Sequence, residues 1–142
     1  MNAASGRPRE AYLDTNVLLA FLAGASHPLF PQACSVFEAV RAGRLRLVMD
    51  VIVVAELAWL AKSVLGVTAA QLAEQLLDLL QAPGFRVPQA RSVHQALEML
   101  VAHPHLDVAD AWLAAQALVQ GPPAIVSFDR DLDGIEGLER IG

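Results

Sequence analysis

Apolar residues recur along this chain in short runs cut by turn signals, and their spacing changes from run to run. Ala11-Tyr12-Leu13 reads as a short strand stopping at Asp14, and Asn16 is placed as the N-cap of a helix beginning Val17-Leu18-Leu19. Phe30, Ala33, Cys34, Phe37 and Val40 fall at i, i+3, i+4, i+7 and i+10, one face of a helix that Gly43 closes. Leu45–Met49 alternates weakly, as a strand does. Val51-Ile52-Val53-Val54 is β-branched enough to prolong that strand, but Asp50 as a cap and Gly66 as a stop favour a helix over 51–65. Thr68 caps a helix with Leu72, Leu76, Leu79 and Leu80 on one side; Pro83-Gly84 breaks it, and Phe85–Val87 is a brief strand. Val93, Leu97, Leu100 and Val101 mark a helix ending before His103-Pro104, and Asp107–Val119 a further one stopped by Gly121-Pro122-Pro123. Ala124–Ser127 is an apolar run bounded by turn signals, the pattern of a buried parallel strand, and Leu138–Ile141 is a last strand.

Strands alternating with helices imply an α/β fold, a parallel sheet wrapped by helices. No repeat, low-complexity tract or long linker divides the chain. Residues 1–10, small and polar with Pro8, are expected to form a loose tail, and residues 11–142 a single domain.

Composition narrows the classes. Hydrophobic residues make up 55% of the 142 and charged ones 18%, which excludes wholesale disorder and leaves apolar surface to spare for a partner. The net charge of −5 is the wrong sign for a protein that grips nucleic acid through its overall field. The lone cysteine, Cys34, allows neither an internal disulfide nor a cysteine-based zinc site, and fits a reducing cytoplasm. Arg7, Arg9, Val17–Ala23 and Ala23-Gly24-Ala25 sketch a signal peptide, but Asp14 and Asn16 interrupt it. No apolar run approaches the ~20 residues of a membrane span, so a soluble protein is expected.

The informative residues are acids in apolar surroundings. Glu56 is the only ionisable side chain between Val51 and Ala61, and no Lys or Arg stands at i±3 or i±4. Its charge needs a cation from elsewhere: a distant Arg, or a metal. Asp14 follows a strand and precedes a helix, at the carboxyl edge where parallel sheets gather ligands, although Asp14 and Asn16 also suit a turn and a cap. Asp107 and Asp110 open a helix with capping-box spacing, and Ala111, Ala114 and Ala117 leave room beside Asp110. Asp129 ends the strand before it, again at a carboxyl edge. Asp129-Arg130-Asp131-Leu132-Asp133-Gly134 begins like a calcium loop, but Arg140 stands where the bidentate Glu belongs and no helix leads in. Asp131 and Asp133 therefore read as turn residues. His27, His94, His103 and His105 have no metal-site spacing.

Taken in order, Tyr12-Leu13-Asp14-Thr15-Asn16, Val54-Ala55-Glu56-Leu57, Asp107-Val108-Ala109-Asp110 and Ser127-Phe128-Asp129-Arg130-Asp131 resemble the acid pattern of PIN-domain ribonucleases, across nearly the whole of Ala11–Ile141. The chain is most similar to VapC-type toxins of toxin–antitoxin pairs. That resemblance implies a three-layer sandwich with a five-stranded parallel sheet, and Mg²⁺- or Mn²⁺-dependent cleavage of RNA. Asp14, Glu56, Asp110 and Asp129 would hold the metal, with Asn16, Ser127 and, less directly, Asp107 in support. It further implies a homodimer and a small antitoxin partner. Arg41, Arg44, Arg46, Arg86, Arg91 and Arg130 are candidates to guide phosphates at the rim.

Rival readings fit less well. A haloacid dehalogenase-type phosphatase wants a second Asp where Asn16 stands, and a phospho-receiver domain wants a late Lys where the only one is Lys62. A PIN-fold scaffold that binds without cutting would have no need of four intact acids.

Overall fold

The chain begins its regular structure two residues earlier than the hydrophobic pattern suggests. The computed structural model describes residues 6–142, so residues 1–5 of the expected tail lie outside it. Strand β1 spans Arg9–Tyr12, because the Arg9 amide already donates to the Arg44 carbonyl at 3.1 Å. Next come helices α1 (Thr15–Ala23) and α2 (Phe30–Arg41), strand β2 (Leu45–Val48), helix α3 (Val51–Leu60) and helix α4 (Ala69–Leu80). Strand β3 (Phe85–Arg86), helices α5 (Ala90–Ala102) and α6 (Val108–Gln120), strand β4 (Ala124–Val126) and strand β5 (Glu139–Ile141) complete the order.

Local chemistry accounts for most boundaries. Asp50 accepts the Ile52 amide at 3.0 Å and starts α3, which settles the β-branched run as helix. That helix widens into a π turn over Ala61–Leu65 and stops at Gly66, which takes the left-handed conformation (φ 69°). Thr68 and Gln71 form a reciprocal capping box at the head of α4. The cap of α1 departs from expectation. Asp14, in extended conformation, precedes the helix, and Asn16 lies inside its first turn.

All strand pairs are parallel, and with six helices they make the expected α/β fold. The five strands do not form the expected single sheet of a three-layer sandwich. β1, β2 and β3 make one sheet in the order β1-β2-β3, and β4 pairs only with β5. The amides of Arg9 and Leu13 turn toward β2, so those of Glu10 and Tyr12 face the other edge, where no strand lies among the described residues. β4 presents a free edge too. Its expected burial fails with it, since Val126 remains 77% exposed. Turn signals bound a strand but do not assign its neighbour; packing does.

One hydrophobic core nevertheless ties both sheets together. It runs from Leu13, Leu47 and Met49 beside the first sheet to Leu132 and Ile135 beside the second. Between them stand Leu57 of α3, Leu72 and Leu76 of α4, Leu97 and Leu100 of α5, and Ala111, Ala114 and Ala115 of α6. The alanines on α6 let α5 approach closely.

Leu97, 1% exposed, faces this core from α5. Leu97→Ala should destabilise the domain by about 2–5 kcal/mol. Urea unfolding checks this: the midpoint should fall with little change in slope.

Candidate active site

The carboxyl ends of β1 and β4 and the N-termini of α1 and α6 place the candidate acids. Asp14 is exposed at the turn from β1 into α1, and the Asn16 amide donates to its Oδ2 at 3.4 Å. Thr15, only 6% exposed, donates its hydroxyl to Glu56 Oε1 at 2.6 Å. This contact joins α1 to α3 across 41 residues. Glu56 is thus answered by a hydroxyl, not by a distant Arg, and it lies at the exposed edge of α3 with water to stabilise its charge. Asn16 supports Asp14 through its amide and caps nothing.

A second group forms around α6. Asp107 caps that helix by accepting the Ala109 amide at 3.1 Å, and its other oxygen accepts the Trp59 indole N–H at 3.3 Å. Asp110 does not reach back to complete a capping box. It meets Asp129 instead. Asp129 is held from both sides: its amide donates to the Ser127 hydroxyl at 3.0 Å, and its Oδ1 accepts the Asp131 amide at 2.9 Å.

Burial pushes the Asp110 carboxyl above its ordinary value, and the neighbouring charges of Asp129 and Asp107, a hydrogen bond to Asp129 and the charge of Asp131 add to the rise. Among the described residues no ion pair reaches Asp14, Glu56, Asp107, Asp110 or Asp129. Asp133 differs, because Arg140 binds it at 2.6 Å and holds its carboxyl below the usual range. Asp133 is thereby closed to calcium, at the loop that resembles a calcium site.

Trp59 links the two groups. It stands one turn beyond Glu56 on α3, so a single helix holds Glu56 toward α1 and the indole toward α6. Trp59 and Thr15 have site contacts that neither periodicity nor charge singles out.

The fit to a divalent cation is partial. Every donor is a hard oxygen, and the repulsion between Asp110 and Asp129 is what a bound cation relieves. Among the described residues, however, no three such side chains converge closely enough to hold one ion. Asp110 and Asp129 are brought together; Glu56 is held by Thr15, and Asp14 by Asn16.

The expected arginine rim is largely elsewhere. Arg46 and Arg86 pair with Glu10 at 3.6 and 3.2 Å, and Arg41 pairs with Glu38 at 2.7 Å. Arg44 precedes β2, at the opposite end of the parallel strands from the acids. Sequence distance from the acids does not reveal strand polarity. Arg130 alone adjoins an acid of the set.

The profile of the PIN domain family matches residues 11–138 of this chain. None of the curated proteins and none of the solved structures matches it.

An Asp whose folded pKa exceeds its unfolded one binds its proton more tightly in the native state, so it opposes folding once ionised. That penalty is absent below the ordinary value of 3.8 and complete above the raised one. Asp110→Asn should therefore raise Tm at neutral pH, with a gain that shrinks as the buffer is acidified. Thermal melts across pH check this; an unchanged or lowered Tm at neutral pH would count against the repulsion.

Proposed function

We propose a metal-dependent endoribonuclease: the chain belongs to the PIN domain family, whose members are in general nucleases acting on RNA. The observation that carries the finer reading is the proximity of Asp110 to Asp129, two carboxyls that no ion pair reaches among the described residues. Asp110 and Asp129 would hold Mg²⁺ or Mn²⁺, with Asp14 and Glu56 as the further acids of the set. A divalent ion held there would supply an activated water and offset charge on the phosphate. The chain's own residues do the positioning. Ser127 holds the Asp129 backbone amide and the Asp131 amide its carboxylate, Thr15 fixes Glu56, and the indole of Trp59 fixes Asp107. By the resemblance, hydrolysis would leave a 5′-phosphate and a 3′-hydroxyl.

Within the family, we assign the chain to the VapC-type toxins, acting in the cytoplasm. The acid order and the domain length support this, as does an apolar groove of about 330 Å³ beside the site. Ile52 and Trp59 of α3 and Leu113 of α6 stand half-exposed along it. Such a surface suits a second copy of the chain or an apolar antitoxin helix. Among the described residues no helix is long and apolar enough to cross a membrane.

Purified protein should cut RNA when given Mn²⁺ or Mg²⁺ and stop when EDTA is added. Asp14→Asn and Asp129→Asn should each lower the cleavage rate by about a hundredfold or more, with circular dichroism unchanged. Full activity in either variant, or cutting that persists in EDTA, would overturn the assignment. Expression should arrest growth if the chain is a toxin, and a small adjacent gene should relieve the arrest; harmless cleavage would favour an RNA-processing enzyme.

A further inference from the structure

Phe21 of α1, Phe37 of α2 and Phe85 of β3 lie in series, with ring centroids 4.1 and 6.3 Å apart, and each remains only half-buried. Together with Val40, Leu45 and Leu79 they line a groove of about 870 Å³ at the amino end of β2. That end is opposite to the candidate acids. Gly84 (φ 108°) approaches Val40 so closely that a Cβ there would collide with it, which sets the turn after α4 against α2 as a wall of the groove. The lining side chains are hydrocarbon but for those of Arg41 and Arg46. Arg46 also lines an adjoining cavity of about 450 Å³ with Arg7 and Glu10, and Arg86 reaches that same Glu10. Arg7, Arg41, Arg46 and Arg86 thus face only two carboxylates, Glu10 and Glu38. The excess of positive charge is local, since the whole chain carries −5.

We propose that this groove binds a long-chain carboxylate, a free fatty acid, with its hydrocarbon along the rings and its head at Arg46 and Arg41. The volume falls within the span of small-ligand sites, roughly 300–1,000 Å³. Other occupants fit less well. A base or a sugar needs partners for its polar edges, and a peptide brings an amide and a carbonyl with each residue. Among the described residues no amide, hydroxyl or carboxylate side chain lines the groove to meet them. A cation would be repelled by the guanidiniums. A chain with one charged end requires apolar surface over its length and a cation at one place, and the groove supplies both. The cations are available to it. Arg46 and Arg86 share Glu10 at 3.6 and 3.2 Å, so one carboxylate leaves a positive charge over. The pair of Arg41 with Glu38 is exposed on both sides, and water competes with it. This inference stands apart from the ribonuclease reading and does not depend on it.

The test titrates the full chain calorimetrically with octanoate, decanoate and dodecanoate, each below its micelle-forming concentration. A single equivalent should bind, and each added methylene should tighten binding about fourfold. Dodecanol and dodecyltrimethylammonium should bind at least about tenfold more weakly than dodecanoate. Arg46→Gln should weaken dodecanoate on the order of tenfold and leave dodecanol unchanged. Ala82→Trp, at an exposed position on the rim, should block the acids altogether. In NMR spectra the methyl groups of Val40, Leu45 and Leu79 should shift on binding, while those of Leu132, beside the second sheet, should stay. Equal affinity for the three chain lengths, equal affinity for acid and alcohol, or undiminished binding by both variants would overturn the proposal. So would co-sedimentation with vesicles of anionic phospholipid without binding of the free acid, which would make the patch a membrane contact. Binding of dodecanoate only as a dimer dissociates would overturn it too, because the groove would then belong to a second copy of the chain.

Discussion

Carboxylates repel one another, and a fold that presses two of them together must hold them there with stabilisation obtained elsewhere. Asp110 and Asp129 are in that position: burial first, and then the charge of Asp129, raise the Asp110 carboxyl above its ordinary value. Neither is free to swing away. Asp110 is fixed in the first turn of α6, whose alanines lie against α5 in the core, and Asp129 is pinned by Ser127 and by the Asp131 amide. The core that spans both sheets thus opposes a local electrostatic cost. This is how candidate catalytic groups come to have unusual proton affinities: the scaffold, more than the site, determines the geometry.

Helix α3 is the second constraint. It has little polar surface, and the two exceptions, Glu56 and the Trp59 indole, each reach a different helix N-terminus. Glu56 accepts from the first residue of α1, and Trp59 donates to the cap of α6. Repositioning α3 would therefore disturb both halves of the site at once.

Much of this was legible in the chain. The helices announced themselves through caps at Asp50, Thr68 and Asp107 and through apolar periodicity, because those signals act within one turn. Glu56 stood out because its own helix offers it no partner. What could not be read depends on distant neighbours. Thr15 looks like an ordinary helix-start residue until α3 is brought against it. Asn16 is as good a cap as Asp14, and only the extended backbone of Asp14 decides between them. The single sheet expected from the strand count divides into two, since a short apolar run carries no record of the strand it will meet. Of the arginines expected at the rim, Arg44 falls at the opposite end of the strands, and Arg41, Arg46 and Arg86 are taken up by glutamates.

The outer edges of β1 and β4 carry a liability of another kind. Backbone amides and carbonyls that face no partner are a template on which any extended chain can add itself, the usual beginning of aggregation. Here the template is short: four residues in β1 and three in β4. Because alternate groups turn inward, an intruding segment gains only a bond or two on either edge, too few to offset the entropy of ordering it. Arg9 and Glu10 add charge that a stacked neighbour would have to accommodate. Brevity guards these edges, and sequence changes that lengthened either strand would trade solubility for pairing.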